Sequence, residues 1–163
     1  MINIIAAVDQ NMGLGRNNEL LAHISPDLKY FKKKTKGSTV VMGYNTYLSL
    51  PVKPLPNRKN IVLTSKNIKL PNCTVMNNIE EVLKYSNENK KENIFIIGGE
   101  SIYRQFIEHA DILFLTHIFE EFEDVDVYFP NIEDWKLIRA FGSNENLKHK
   151  YKHIFAIYTK KQP

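Results

Sequence analysis

The sequence predicts an α/β fold: a mostly parallel central sheet with an antiparallel C-terminal edge and helices on both faces. Three observations carry this expectation. Short runs rich in branched residues alternate with helical patterns over the first two thirds of the chain. The opening run, residues 2–8, is apolar almost throughout, as suits a strand buried on both faces. The last two extended runs, 135–141 and 151–159, follow each other with no helix signal between them and read as an antiparallel pair.

After the first strand, Ser25-Pro26-Asp27 opens a helix over 26–34. Ser25 reads as its N-cap, Pro26 suits the first helical position, and an acid in the first turn complements the helix dipole. Asp27 is set beside Phe31, four residues on, and next to the apolar stripe that includes Leu28. A carboxylate aimed at apolar surface favours its neutral form unless a partner binds it. Thr39-Val40-Val41-Met42, ending at Gly43, is the next strand, with a helical pattern over 44–50 behind it. Residues 60–64, 74–76, 94–97 and 112–116 follow as strands, and 79–85 and 101–107 as helices. Pro51 to Pro56 is short enough to be a loop rim. Without repeats or low-complexity stretches, the 163 residues form one domain.

Composition narrows the function classes. Hydrophobic residues make up 43% and charged residues 25%, those of an ordinary globular protein. The net charge of +4 favours anionic small ligands, but the lysines are scattered. Lys32-Lys33-Lys34 reads as a solvated helix end, and no basic stripe interleaved with aromatics marks a nucleic-acid groove. Cys73 is the single cysteine, expected as a buried structural thiol, so neither an intrachain disulfide nor a thiolate metal cluster is available. The histidines at 23, 109, 117, 149 and 153 form no metal-binding pair on one element. The apolar N-terminus reaches Asp9 too soon for a signal peptide or a membrane span, which points to the cytoplasm.

Three strand ends carry chemistry. Residues 94–97 run into Gly98-Gly99 and then a helix; adjacent glycines let backbone approach a ligand, and free amides at a helix start attract phosphate. Read alone, the pair is also a tight strand–helix turn with no ligand. Gly43 with Thr46, and Thr64-Ser65-Lys66, occupy the equivalent places after two other strands. Together they suit a long anionic ligand, such as a dinucleotide, spread across the carboxyl edge of the sheet. Gly13-Leu14-Gly15 lacks the third glycine of a Rossmann fingerprint. Arg58, on a proline-stiffened rim, suits a bidentate grip on a carboxylate, or equally a surface arginine at the start of a strand.

Taken in order, Ile5-Ala6-Ala7, Gly15, Asp27-Leu28, Phe31-Lys32, Val41-Met42-Gly43 with Thr46, Pro54-Leu55-Pro56 with Arg58-Lys59-Asn60, Ile97-Gly98-Gly99 with Tyr103, Leu115-Thr116-His117, and Phe129-Pro130 resemble the dihydrofolate reductase family. The resemblance runs from Ile2 to about Tyr158. It implies an NADPH-dependent enzyme that transfers hydride to C6 of 7,8-dihydrofolate, with protonation at N5, for tetrahydrofolate and thymidylate synthesis. It also implies a single-domain monomer that binds antifolate inhibitors, with residues 38–88 as an adenosine-binding subdomain.

The resemblance assigns roles residue by residue. Asp27, Thr116 and Tyr103 correspond to catalytic positions, with Asp27 bonding the pterin and Thr116 supporting it. Ile5, Ala7, Leu28, Phe31, Lys32, Leu50, Lys53, Leu55 and Ile97 would surround the substrate, and Arg58 would hold its glutamate tail. The cofactor would meet Ala6, Ala7, Gly13, Leu14, Gly15, Arg16, Asn17, Asn18, Glu19 and Leu20 at one end. Gly43, Tyr44, Asn45, Thr46, Leu63, Thr64, Ser65 and Lys66 would continue the site. Ile97, Gly98, Gly99, Glu100, Ser101, Ile102, Tyr103 and Asp126 would complete it. Residues 9–24 would form a lid over the nicotinamide.

Departures from the family pattern are specific. Leu21-Ala22 stands where Pro-Trp is usual, Tyr44-Asn45 where basic residues follow Met-Gly, and Asn77 where a basic residue often meets the 2′-phosphate. Glu123-Asp124-Val125-Asp126 replaces a shorter loop with glycine before its acid. Two other readings stand beside the main one: the related reductase of riboflavin synthesis, and a non-catalytic pterin- or nucleotide-binding protein. Asp27, Phe31 and Arg58 favour folate over the riboflavin reading, which needs no grip on a glutamate tail.

Overall fold

Parallel pairing of β1 (Ile2–Val8) with both β7 (Ile94–Ile96) and β8 (Ile112–Ile118) forms the middle of the molecule. The computed structural model describes residues 1–16 and 19–162. Around this centre, β4 (Thr39–Gly43), β5 (Lys59–Leu63) and β6 (Thr74–Met76) extend the parallel sheet on one side. On the other side β11 (His153–Lys160) runs antiparallel to β8, and β10 (Trp135–Phe141) closes the edge. The order is β10-β11-β8-β1-β7-β4-β5-β6. The mostly parallel sheet with an antiparallel C-terminal edge is as the alternation predicts.

The two faces of the sheet bury two apolar clusters. On one, Ile4, Val41, Ile61, Ile96 and Leu113 pack beneath α3 (Ile79–Glu88) and α4 (Glu100–Phe106), which contribute Val82, Tyr103 and Phe106. On the other, Ile5, Val40, Met42, Val62 and Phe95 meet α1 (Ser25–Thr35) and α2 (Tyr44–Ser49). Alternation along β1 makes this division: Ile4 and Ile5 are neighbours in the chain and face opposite ways.

Several local expectations are corrected. Ser25 is the first residue of α1, not its cap; Ile24 holds the cap position without a side-chain bond. The Leu28 amide instead bonds the Ile24 carbonyl at 3.0 Å, so Pro26 and the backbone start the helix. Lys34 is not simply solvated, since its ammonium lies 5.1 Å from the Phe114 ring and 5.8 Å from that of Tyr30. Cys73 is half-buried rather than buried, packed against the second cluster.

Two elements escape the sequence. A small sheet, β3-β2-β9, joins β2 (Gly13–Arg16) and β3 (Glu19–Leu20) to β9 (Val127–Tyr128). Strands this short have no periodicity to read, and the β2–β9 pairing spans more than half the chain. The segment after β10 contains α5 (Asn144–Lys148), where the sequence shows no helix signal. Its capping box uses Asn146 in place of the usual Glu or Gln, which hides the signal.

Candidate active site

Asp27 lines a cleft with Ala7 of β1, Ile118 of β8, Leu28 of α1, and Leu14, Leu20, Leu21, Ala22 and Ile24 of the 9–24 segment. The register explains the convergence. Ala7 pairs with Thr116, and residues two apart share a face, so Ile5, Ala7, Phe114, Thr116 and Ile118 all point toward α1. The Thr116 hydroxyl, buried in the sheet, donates to Asp27 Oδ1 at 2.5 Å. Burial pushes the Asp27 carboxyl above its ordinary pKa; the Thr116 bond and the field of His153 act against that push. A half-buried acid with apolar walls and a single donor is poised to bind a cationic or N–H-rich heterocycle.

A broader depression lies at the other end of the sheet, around Met1, Leu83, Asn87, Lys90, His109 and Asp111. Asp111 there accepts the Ile2 amide at 3.0 Å and serves the chain's own backbone. The Asp27 cleft is the better reactive site because its carboxylate faces apolar walls at the carboxyl ends of the parallel strands.

Beyond Asp27, Phe31, Leu50 and Leu55 are half-buried on the same side and pack against the second cluster. Arg58 sits at the rim. Its Nε donates to the Pro56 carbonyl at 2.8 Å and Nη1 to Thr35 Oγ1 at 3.0 Å, with the guanidinium carbon 5.9 Å from the Phe31 ring centre. These bonds brace the chain before β5. Lys32 and Lys53 are exposed, the latter donating to the Leu48 carbonyl.

The strand ends after β4 and β7 meet. The Gly43 amide donates to the Gly98 carbonyl at 2.9 Å, and the Gly98-Gly99 peptide is cis. Gly98 has φ +131°, a region that disfavours side chains. A Cβ on Gly98 would stand 3.4 Å from the Tyr103 hydroxyl and 3.6 Å from Thr46 Oγ1; one on Gly99 would meet the same Oγ1 at 3.6 Å. The bare backbone and threonine hydroxyl form a cradle. Tyr103 is buried and donates to the Ile5 carbonyl at 2.9 Å, tying the cradle to the strand that carries Ala7.

The remaining expected positions divide. Ala6, Ile97 and Ile102 support the two clusters, and Leu63 is buried. Tyr44, with Lys66 Nζ 5.1 Å from its ring centre, and exposed Asn45 and Ser65 form an edge beyond Thr46. Thr64 Oγ1 accepts the Lys66 amide at 3.2 Å, and the Asn77 side chain donates to the Thr64 carbonyl at 2.8 Å. Ser101 is exposed at the start of α4, whereas Glu100 turns aside to accept the Tyr128 amide at 2.6 Å. Asn17, Asn18 and the Glu19 side chain lie outside the described residues.

The described residues of the 9–24 segment form more than a simple loop. Gly15 pairs with Leu20 and with Val127, the Asp126 amide donates to the Gly15 carbonyl at 3.1 Å, and Arg16 Nη1 donates to the Glu123 carbonyl at 2.9 Å. Asp9, which the sequence marks only as the end of an apolar run, anchors it. The buried carboxylate accepts the amides of Gly13 at 2.8 Å, Asn11 at 2.9 Å and Phe122 at 3.3 Å. An acid at the end of a strand and four residues before a glycine is the only local signal that could have found it. Among the described residues, no group of His, Cys, Asp and Glu could hold a metal, and no helix is long and apolar enough to cross a membrane.

Comparison with known proteins agrees with this geometry. A family model described as dihydrofolate reductase matches residues 1–160. The curated dihydrofolate reductase of Bacillus subtilis (strain 168) is 39% identical, covering 99% of this chain and 95% of that protein. That of Staphylococcus haemolyticus is 36% identical over 96% of this chain and 94% of its own length. A solved dihydrofolate reductase from Enterococcus faecalis, complexed with NADP(H) and RAB-propyl, superposes with a TM-score of 0.88 at 34% identity, covering 99% of this chain and 97% of that one.

Proposed function

This chain is an oxidoreductase that belongs to the dihydrofolate reductase family, and from that premise we propose that it reduces 7,8-dihydrofolate to tetrahydrofolate with NADPH. The observation that carries the reading is the Asp27–Thr116 pair within an apolar cleft at the carboxyl end of the sheet. The cofactor is supported by the cradle at Gly43, Gly98, Gly99 and Thr46, where a Cβ would fill the space, and by the NADP(H) complex of the Enterococcus relative.

The chemistry that NADPH supplies when bound is hydride donation, here to C6 of dihydrofolate. Asp27 accepts hydrogen bonds from the pterin N3 and 2-amino group and so fixes the ring, while Thr116 holds the carboxylate in place. Reduction at C6 leaves N5 needing a proton. Water delivers it, and Asp27 sets how readily the pterin takes it; proton supply by a positioned group is worth about 10²–10⁴-fold. Ile5, Ala7, Leu28, Phe31, Leu50 and Leu55 wall the rings, and Arg58 grips the tail carboxylate.

Residues 38–88 carry the adenosine half of the cofactor, with Lys66 as the cation near its phosphate. The segment anchored by Asp9 excludes water over the nicotinamide. The protein acts as a cytoplasmic monomer and binds antifolates in the Asp27 cleft. Stopped-flow loss of NADPH absorbance with dihydrofolate, run beside NADH, tests the reading. Turnover with NADPH is expected; tight binding of both ligands without turnover would instead mean a binding protein.

A further inference from the structure

Charge is divided across the sheet much as the apolar core is. Residues 28–79 hold ten of the 22 Lys and Arg and none of the 18 Asp and Glu. The rest of the chain therefore carries twelve cations against eighteen acids, and the net +4 conceals two regions of opposite sign.

Lysines that lie singly or in short runs along the sequence are gathered by the fold on one face. Phe31 of α1, Tyr44 and Tyr47 of α2, Leu55 of the rim, and Leu70 and Cys73 of the 64–73 connection all pack on the second cluster. Lys29, Lys32, Lys33 and Lys36 are exposed along α1, Lys53 on the rim, and Lys66 and Lys69 on the connection. Lys59 is the exception, donating to the Tyr85 hydroxyl of α3 at 2.9 Å. Among the described residues, no ion pair involves any residue of 28–79. On the opposite face α3 and α4 carry Glu80, Glu81, Glu88 and Glu100, and their cations are already paired. Lys84 lies 3.9 Å from Glu88, and Arg104 3.7 Å from Glu100.

The basic face is the one that holds the ligand cleft. Asp27 and Leu28 of α1 line it, Arg58 reaches Thr35 near the end of the same helix, and Lys66 stands 5.1 Å from the Tyr44 ring beyond Thr46. Cations without acid partners thus flank the cleft from Arg58 to Lys66. Five acids occupy 120–126, and that stretch is tied to the 9–24 segment by the Asp126 amide on the Gly15 carbonyl and by Arg16 on the Glu123 carbonyl. An approaching anion is therefore drawn to the α1 side and turned away from the acidic stretch. Packing does not call for this arrangement. Asp27 is the single acid of α1, so its exposed lysines repel one another without the i,i+4 partners that would steady the helix.

We propose that the α1–α2 face is an electrostatic capture surface for anionic small molecules, steering the phosphates of NADPH and the tail carboxylates of dihydrofolate into the cleft. The proposal rests on the reading of these two ligands. Lys29, Lys33, Lys36 and Lys69, outside the positions assigned to either ligand, act through their field and set the association rate, not the lifetime of the complex. Such a field raises association rates by about 10–10³-fold, and salt screens it as the Debye length shrinks from about 30 Å at 0.01 M to about 3 Å at 1 M. Dissociation is set by contacts inside the cleft and changes little. NADPH, with one phosphate more than NADH, feels the field more strongly.

Stopped-flow fluorescence of NADPH mixed with the ligand-free protein tests this without turnover. Between about 0.01 and 1 M salt the association rate is expected to fall by about tenfold or more, and less steeply for NADH. The dissociation rate should stay within about twofold. Dihydrofolate, followed by quenching of protein fluorescence, is expected to behave as NADPH does. Lys29→Glu, Lys33→Glu, Lys36→Glu and Lys69→Glu together are expected to slow association at low salt by about tenfold and to change nothing at high salt. The same reversals at Lys90, Lys91, Lys136 and Lys161, exposed at the amino ends of the parallel strands, should have a far smaller effect. Association of either ligand that is indifferent to salt, equal effects of the two sets of reversals, or an effect confined to dissociation overturns the capture surface. Any of these with NADPH still bound leaves the proposed function standing, whereas failure of NADPH to bind at all overturns both.

Discussion

The Thr116 hydroxyl donates to Asp27 Oδ1 across 2.5 Å, joining residues 89 positions apart in the chain. One sits in the first turn of a helix and the other in a central strand. Their contact converts an ordinary helix-start acid into a fixed acceptor facing an apolar cleft.

Asp27→Asn is expected to slow reduction at neutral pH by about 10²–10⁴-fold. Activity should return in part toward low pH, where the substrate arrives protonated. Steady-state rates from acid to alkaline pH check this; a loss independent of pH contradicts the role.

The same substitution has a stability consequence. Burial raises the Asp27 pKa above 3.8, its unfolded value, so the native state binds more protons than the unfolded chain. Stability falls as pH rises from the unfolded value through the folded one. The asparagine variant should be stabilised relative to the parent above that window and gain nothing below it, as denaturant midpoints at acid and neutral pH would record.

Thr116→Val keeps the shape and removes the donor. A hydrogen bond to a charged group is worth about 1.5–3 kcal/mol, so kcat/KM is expected to fall by roughly ten- to a hundredfold. The Asp27 titration should shift upward, because the lost bond favours the charged form. An unshifted titration would show that the hydroxyl does not hold the carboxylate.

Arg58→Leu should raise KM for dihydrofolate by roughly tenfold or more, and far less for a pterin lacking the glutamate tail. Equal changes for both substrates would remove Arg58 from the tail site and leave only its bonds to Pro56 and Thr35.

Asp9→Ala strips the acceptor from three backbone amides. Leaving such donors unpaired is expected to cost about 2–4 kcal/mol, measured by urea unfolding. A change below about 0.5 kcal/mol would mean that the 9–24 segment is held by its strand pairing alone.

The architecture was legible because it depends on local pattern. Runs of branched residues separated by helical periods leave little choice but an α/β sheet, and the lack of a helix signal near the C-terminus marks the antiparallel edge. Gly98-Gly99, Thr46 and Asp27 could each be singled out by residue type and by position at the end of a strand or the start of a helix. The β3-β2-β9 sheet and α5 could not, since two- to five-residue elements leave no periodicity.

Residue order alone determined which side chains share a face of each strand and helix, because alternation and the helical turn are properties of the backbone. Whether those faces meet was decided only by tertiary structure. Strand register set Thr116 against Asp27, brought the distant Phe122 amide onto Asp9, and placed His153 opposite Ile118. Such contacts depend on pairings between residues far apart in the chain, and no local pattern encodes a distance.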